Sequence, residues 1–99
     1  MNKLLKVNIC GIDFKNPVIA ASGTYNFGRE FRDYYDIARL GGISLKGLTR
    51  NKRFGNPSPR IAETYGGMLN SVGLQNPGVE EFIKGDLQDL KGVDTVLIA

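Results

Sequence analysis

Asn70, Ser71 and Gln75 bring two amides and a hydroxyl close together inside the segment running from Gly66 to Gly78. Amides and hydroxyls both donate and accept, so the three could read the edge of a small planar polar molecule. Gly66, Gly67, Gly73 and Gly78 are interleaved with them. Glycines admit positive φ and let a ligand approach main-chain N–H groups with no Cβ in the way. The same composition also describes a surface loop made of turn residues. Lys46 is the second candidate, standing at the C-terminal end of the short strand-like segment Ile43-Ser44-Leu45-Lys46-Gly47. A lysine there either snorkels to solvent or meets an anion. Arg39, Lys46, Arg50, Lys52, Arg53 and Arg60 lie between Asp36 and Glu63 with no acid among them. That run favours anions unless its charges are balanced elsewhere in the fold.

Several chemistries are excluded. The chain has no histidine, which removes Ser-His-Asp and Cys-His catalysis and histidine-bearing zinc sites for these residues. Its one cysteine, Cys10, cannot form an internal disulfide and suits a reducing cytoplasm. Cys10 reads as a small hydrophobe in a leader hairpin rather than as a nucleophile. No apolar run approaches the roughly 20 residues that cross a bilayer, so no membrane association is expected. The opening Met1-Asn2-Lys3-Leu4-Leu5-Lys6 lacks the apolar core and cleavage site of a signal peptide. Net charge is +3, and the basic stretch carries one aromatic, Phe54, and no nucleic-acid-binding motif. At 99 residues the chain holds one domain at most.

The elements that must position these residues follow from patterning. Val7 to Phe14 alternates apolar and polar residues on each side of Gly11, as a small β-hairpin does. Asn16-Pro17-Val18-Ile19-Ala20-Ala21 is a continuous apolar run suited to a parallel strand covered on both faces. Ser22-Gly23-Thr24 would then be the loop at its carboxyl end, where α/β folds place ligands. Phe31, Tyr34, Tyr35, Ile37, Ala38 and Leu40 approximate a helical stripe over 29–40, with Gly41-Gly42 as its stop. Ile43 to Gly47 reads as a second strand. Thr49 to Tyr65 reads as a long aperiodic loop, a kind that is usually functional or disordered. Val79, Phe82, Ile83, Leu87 and Leu90 predict an amphipathic helix closed by Gly92. Thr95 to Ala99 is a third buried-type strand. Strand and helix beginnings in series predict an α/β fold, the first part of a larger barrel or doubly wound sheet, so the chain reads as truncated.

Four segments then carry a resemblance. They are Asn16 to Thr24, Gly41 to Thr49, Arg53 to Thr64 and Gly66 to Gly78, and together they resemble dihydroorotate dehydrogenase. The match spans nearly the whole chain in order and spacing. The segment Gly66 to Gly78 is similar to the NAD-linked class 1B enzymes more than to the fumarate-linked class 1A. The resemblance implies that residues 1–99 are the N-terminal third of a single FMN-binding (β/α)₈ TIM barrel, preceded by a small β-hairpin. The implied reaction is oxidation of (S)-dihydroorotate to orotate in de novo pyrimidine synthesis, with NAD⁺ as final acceptor.

By the same resemblance, Ser22, Lys46 and Gly47 would contact FMN. Lys46, Asn70, Ser71, Val72, Gly73 and Leu74 would bind the substrate. Lys46 would also act electrostatically, as a fixed ammonium beside the flavin edge that becomes negative. The family's general-base cysteine lies beyond these residues, and Cys10 does not match it. FAD and a 2Fe-2S cluster are expected on a partner subunit, since no cluster motif occurs here, in a heterotetramer with a homodimeric core. The fragment alone would be inactive. Alternatives are a flavin domain like that of dihydropyrimidine dehydrogenase and a non-catalytic fragment.

Overall fold

The computed structural model describes residues 3–99. They form a mixed α/β structure of two compact units, one running to Lys46 and resuming at Leu90–Ala99, the other Gly47–Asp89.

The first unit opens with β1 (Val7–Ile9) and β2 (Ile12–Phe14), paired antiparallel with Val7 opposite Phe14. Cys10 and Gly11 form the turn with φ of 52° and 83°. Positive φ at both central residues matches the strand twist, as primed hairpin turns do. The Asn8 carboxamide accepts from Gly11 N–H at 3.1 Å and donates to Asp13 at 2.7 Å. The hairpin is as expected, but Cys10 is exposed at its tip and packs no core.

Three short strands follow in parallel: β3 (Ile19–Ala20), β4 (Gly42–Ser44) and β7 (Val96–Ile98), in the order β3-β4-β7. All three are where the apolar runs predict them. Ile43, on the central strand, is fully buried, and Phe14, Tyr25, Phe27, Ile37, Leu45 and Leu90 complete the core of this unit. Asn16 joins the strand entrances. Its Oδ1 accepts from Val18 and Gly41 N–H at 3.0 Å each, and its Nδ2 donates to Arg39 O at 2.8 Å. A Cβ on Gly41 would run into the Asn16 carbonyl oxygen, so position 41 needs glycine. Lys15 donates to the Ala38 carbonyl at 2.7 Å and pairs with the Asp94 carboxylate at 3.0 Å, tying the hairpin to the approach to β7.

The segment 29–40 departs from the predicted helix. It holds two 3₁₀ turns, Arg29–Asp33 and Ile37–Arg39. Asp36 interrupts them, because its carboxylate accepts from Ala38 N–H at 3.0 Å and so begins a new turn in mid-segment. The apolar stripe is real but serves an aromatic cluster. Tyr25 stacks on Phe31 with centroids 4.5 Å apart, and its hydroxyl lies 3.0 Å from that of Tyr35. Between β3 and this cluster runs the single turn α1 (Ser22–Tyr25).

In the second unit, β5 (Ile61–Thr64) and β6 (Gly67–Asn70) pair antiparallel about Tyr65-Gly66, with Ile61 opposite Asn70. This hairpin falls where a loop is predicted. Every residue in both strands is exposed, so no face had to be apolar and no alternation marked it. The predicted helix over 79–90 is two pieces, α2 (Val79–Lys84) and α3 (Asp86–Leu90). They are interrupted at Gly85, whose φ of −111° and ψ of −89° are not helical.

Candidate functional site

In the first unit the parallel pairing of β3 and β4 carries Ser22 and Lys46 to the same, carboxyl end of the sheet. Each stands just past its strand, Ser22 opening α1 and Lys46 following Leu45. Lys46 is held by its main chain, which donates to Asn26 O at 3.2 Å. Its side chain is partly buried, and among the described residues its ammonium has no ion pair or hydrogen bond. Tyr25 lies nearby in sequence but is chemically quiet, because burial and then the Tyr35 hydroxyl hold its phenol far above the usual value.

In the second unit, Asn70 ends β6 and the chain turns through Ser71-Val72-Gly73-Leu74. Gly73 and Leu74 both have positive φ, 81° and 54°. For a leucine that conformation is uncommon and must be imposed by its neighbours. Asn76 imposes it. This buried side chain donates from Nδ2 to Leu74 O at 2.8 Å and to Thr49 Oγ1 at 3.0 Å. Its Oδ1 accepts from Thr49 N–H at 3.1 Å and Gly78 N–H at 3.0 Å. Its main chain exchanges a pair of hydrogen bonds with Arg53. Gly47 lies beside the Leu74 side chain, where an added Cβ would stand 3.2 Å from Leu74 Cδ1.

The outer side of the turn is braced by the long 49–60 segment. Asn56 N–H donates to Val72 O at 2.9 Å, and Ser71 N–H donates to Arg60 O at 2.7 Å. The Arg60 guanidinium donates to Asn56 O, Phe54 O and Gln75 Oε1, each at 2.6 Å. Arg53 Nε donates to Gly73 O at 3.3 Å. The basic run is therefore partly spent inside the unit. Arg53 and Arg60 hold main-chain oxygens, and Lys52 lies over the Phe54 ring at 4.8 Å. Gln75 Oε1 accepts from Arg60 at 2.6 Å and Ser71 Oγ accepts from the Asn56 carboxamide at 2.9 Å, and Asn70, Ser71 and Gln75 are all exposed.

Among the described residues, the main-chain N–H groups of Val72, Gly73 and Leu74 donate to nothing, and the Asn70 amide has no partner. Three successive N–H groups with no acceptor among the described residues are free to donate to a ligand oxygen. A carboxylate or a ring carbonyl would meet them, with the Ser71 hydroxyl and the Asn70 amide as further partners. The described residues hold no cluster of His, Cys, Asp and Glu fit for a metal ion, and no helix long and apolar enough to cross a membrane.

The frame residues Asn56, Asn76, Arg53 and Arg60 are what sequence reasoning missed. One signal was present. The chain contains Asn16-Pro17, Asn56-Pro57 and Asn76-Pro77, and each asparagine ties its loop to a distant segment. In the first and third, Oδ1 accepts from the N–H two residues on, across the proline, the geometry of an Asx turn.

Comparison with known proteins adds a family. Residues 4–97 match the family model described as dihydroorotate dehydrogenase. The chain is 60% identical over 94 residues to dihydroorotate dehydrogenase B (NAD(+)), catalytic subunit, of Petrotoga mobilis, covering 95% of this chain and 31% of that protein. Identity to the protein of the same name from Malacoplasma penetrans is 51% over 98 residues, covering 99% and 32%. With that from Alkaliphilus metalliredigens it is 57% over 94 residues, covering 95% and 31%. The chain thus spans about a third of the length of the curated relatives it matches.

Proposed function

The chain belongs to the dihydroorotate dehydrogenase family, and from that premise we propose that its protein oxidises (S)-dihydroorotate to orotate in pyrimidine synthesis. FMN is the cofactor of this reading, and the three parallel strands are the first strands of a (β/α)₈ barrel. NAD⁺ receives the electrons through a second subunit carrying FAD and a 2Fe-2S cluster, around a homodimer of this subunit. The reducing cytoplasm suits the free thiol of Cys10.

The observation that carries the reading is the turn 70–74. Its unengaged N–H groups at Val72, Gly73 and Leu74, with the Asn70 amide and Ser71 hydroxyl, are matched to an acid bearing ring carbonyls. These residues bind and orient the substrate; Leu74 adds an apolar contact over Gly47. Two observations support the assignment of Ser22, Lys46 and Gly47 to FMN: Lys46 is partly buried with no ion pair or hydrogen bond to its ammonium among the described residues, and a Cβ added to Gly23 beside Ser22 would meet nothing within 4 Å. Bound flavin would supply the acceptor for the hydride leaving dihydroorotate C6. Lys46 would place a fixed positive charge beside the bound flavin, a role in which a preorganised charge acts without reorganisation cost. The general base is assigned to a cysteine other than Cys10, which sits exposed on a hairpin tip.

The full-length protein tests this by anaerobic stopped-flow with dihydroorotate. Lys46→Ala should slow flavin reduction by about 10²–10³-fold, with a smaller change in orotate affinity. A flavoprotein that dihydroorotate does not reduce would sink the assignment. Unchanged reduction kinetics in Lys46→Ala would sink the role of the lysine.

A further inference from the structure

Asn56 lies outside the residues assigned to substrate, yet its carboxamide decides what Ser71 can do. One terminal atom of that group lies 3.1 Å from the Ser71 carbonyl oxygen and 2.9 Å from Ser71 Oγ. A main-chain carbonyl only accepts, so the atom facing it is the NH₂ nitrogen. Its two hydrogens are then directed one to each oxygen, and Ser71 Oγ is an acceptor in this contact. The hydroxyl's own hydrogen has no acceptor among the described residues, and Ser71 is exposed. Accepting one hydrogen bond strengthens a hydroxyl as donor of the next.

The main chain of Asn56 is held in place: its N–H donates to Val72 O at 2.9 Å, and its main-chain carbonyl accepts from Arg60 Nε at 2.6 Å. Gly73 is packed on the carboxamide so closely that a Cβ there would come within 2.6 Å of Asn56 Cγ. Gly73 thus has two reasons to be glycine, its φ of 81° and this contact.

We propose that Asn56 is a positioning residue that commits the Ser71 hydroxyl to donate, so that this point of the turn selects an oxygen acceptor on the ligand, a carboxylate or ring carbonyl, over an N–H. This rests on the reading of residues 70–74 as the substrate turn. It assigns a specificity-determining role to the 49–60 segment that no direct ligand contact would reveal.

The test is a double-mutant cycle in the full-length holoenzyme, read as orotate affinity from the perturbation of the flavin spectrum. Asn56→Asp keeps the shape over Gly73 but offers the hydroxyl an acceptor, and Asn56→Ala removes the donor without adding charge. Each should weaken orotate by about tenfold, the scale of one hydrogen bond to a charged group. Asn56→Asp should lose the more, since its carboxylate captures the Ser71 hydrogen. In a Ser71→Ala background the loss from Asn56→Ala should shrink to less than about threefold, because coupled neighbours are not additive. Equal losses with and without the hydroxyl would mean that Asn56 only shapes the turn, and would overturn the inference while leaving the substrate turn standing. Ser71→Ala with unchanged orotate affinity would instead overturn the assignment of Ser71 to the substrate, and this inference with it. If Asn56→Ala does not fold, the cycle is closed with Asn56→Leu, neutral, without a donor and close to asparagine in size, under the same outcomes.

Discussion

Phe14, Tyr25, Phe27, Ile37, Ile43, Leu45 and Leu90 are buried in the unit that carries the parallel sheet, whereas in Gly47–Asp89 the buried side chains are Phe82 and Asn76. The two units are specified by different physics. Burial of apolar surface is non-directional and scales with area, so it fixes that a sheet forms and which face is covered. It sets side-chain angles only through packing. Hydrogen bonds to main-chain oxygens and N–H groups fix direction and distance. On the proposed reading, a turn that presents three N–H groups to a ligand needs the second kind of control. Asn76, Asn56 and Arg60 supply it from a segment with little core of its own. The cost is sensitivity, since a directional frame fails by single atoms where a core fails by volume.

The largest expected effect therefore falls on one polar residue of the less apolar unit. Asn76→Leu keeps the approximate size of the side chain but strands Thr49 N–H, Gly78 N–H and the Leu74 carbonyl. At about 1–3 kcal/mol for each buried group left unpaired, the full-length protein should lose about 3–5 kcal/mol in denaturant unfolding. Hydrogen exchange should accelerate chiefly within 47–89. A cost under about 1 kcal/mol would break the comparison, because the polar frame would then be ornament on a unit held by something else. A conservative change in the apolar core sharpens it from the other side. Ile43→Val, at the most buried position of the sheet, should cost about 1 kcal/mol and leave orotate affinity unaltered. If it disturbed ligand binding as much as Asn76→Leu, the division between a core that holds and a frame that aims would be wrong.

The same division explains what could be read from the sequence. The parallel strands were legible in Val18-Ile19-Ala20, Ile43 and Thr95 to Ile98, because two-sided burial demands an unbroken apolar run. The β1–β2 hairpin was legible from its alternation around Gly11. Ser22 and Lys46 could be placed at strand ends once the strands were known. The β5–β6 hairpin could not, since with every residue exposed it places no demand on side-chain type. The helix over 29–40 was overread, because Phe31, Tyr35 and Ile37 follow a stripe while the Asp36 cap that divides it is decided by one hydrogen bond. The frame around 70–74 was hidden for a related reason. Asn56 and Asn76 look like ordinary turn residues until the partners 15 and 27 residues away are seen.

Tyr25 offers the smallest effect and the cleanest check that burial governs the sheet-bearing unit. Its phenol is buried, hydrogen-bonded to Tyr35, and stacked on Phe31. Desolvation is the leading cause raising its pKa above the ordinary 10.0, the Tyr35 hydrogen bond and charge follow, and Arg32 offsets part of this. Burial disfavours the phenolate, so the folded protein keeps the proton where the unfolded chain would release it. The sign follows from linkage. A folded-state value raised above the unfolded one gives a contribution fully present below the unfolded pKa, and it is lost as pH climbs past about 10. Near neutral pH, Tyr25→Phe should cost about 1 kcal/mol, the scale of the single hydrogen bond to Tyr35. Above about pH 10 the difference should narrow and then reverse, because the unfolded wild type releases a proton that the folded protein keeps, while the phenylalanine variant has none to release at this position. Parallel curves across that range would show that the phenol is solvated in the folded protein, and would remove Tyr25 from the core on which the comparison depends.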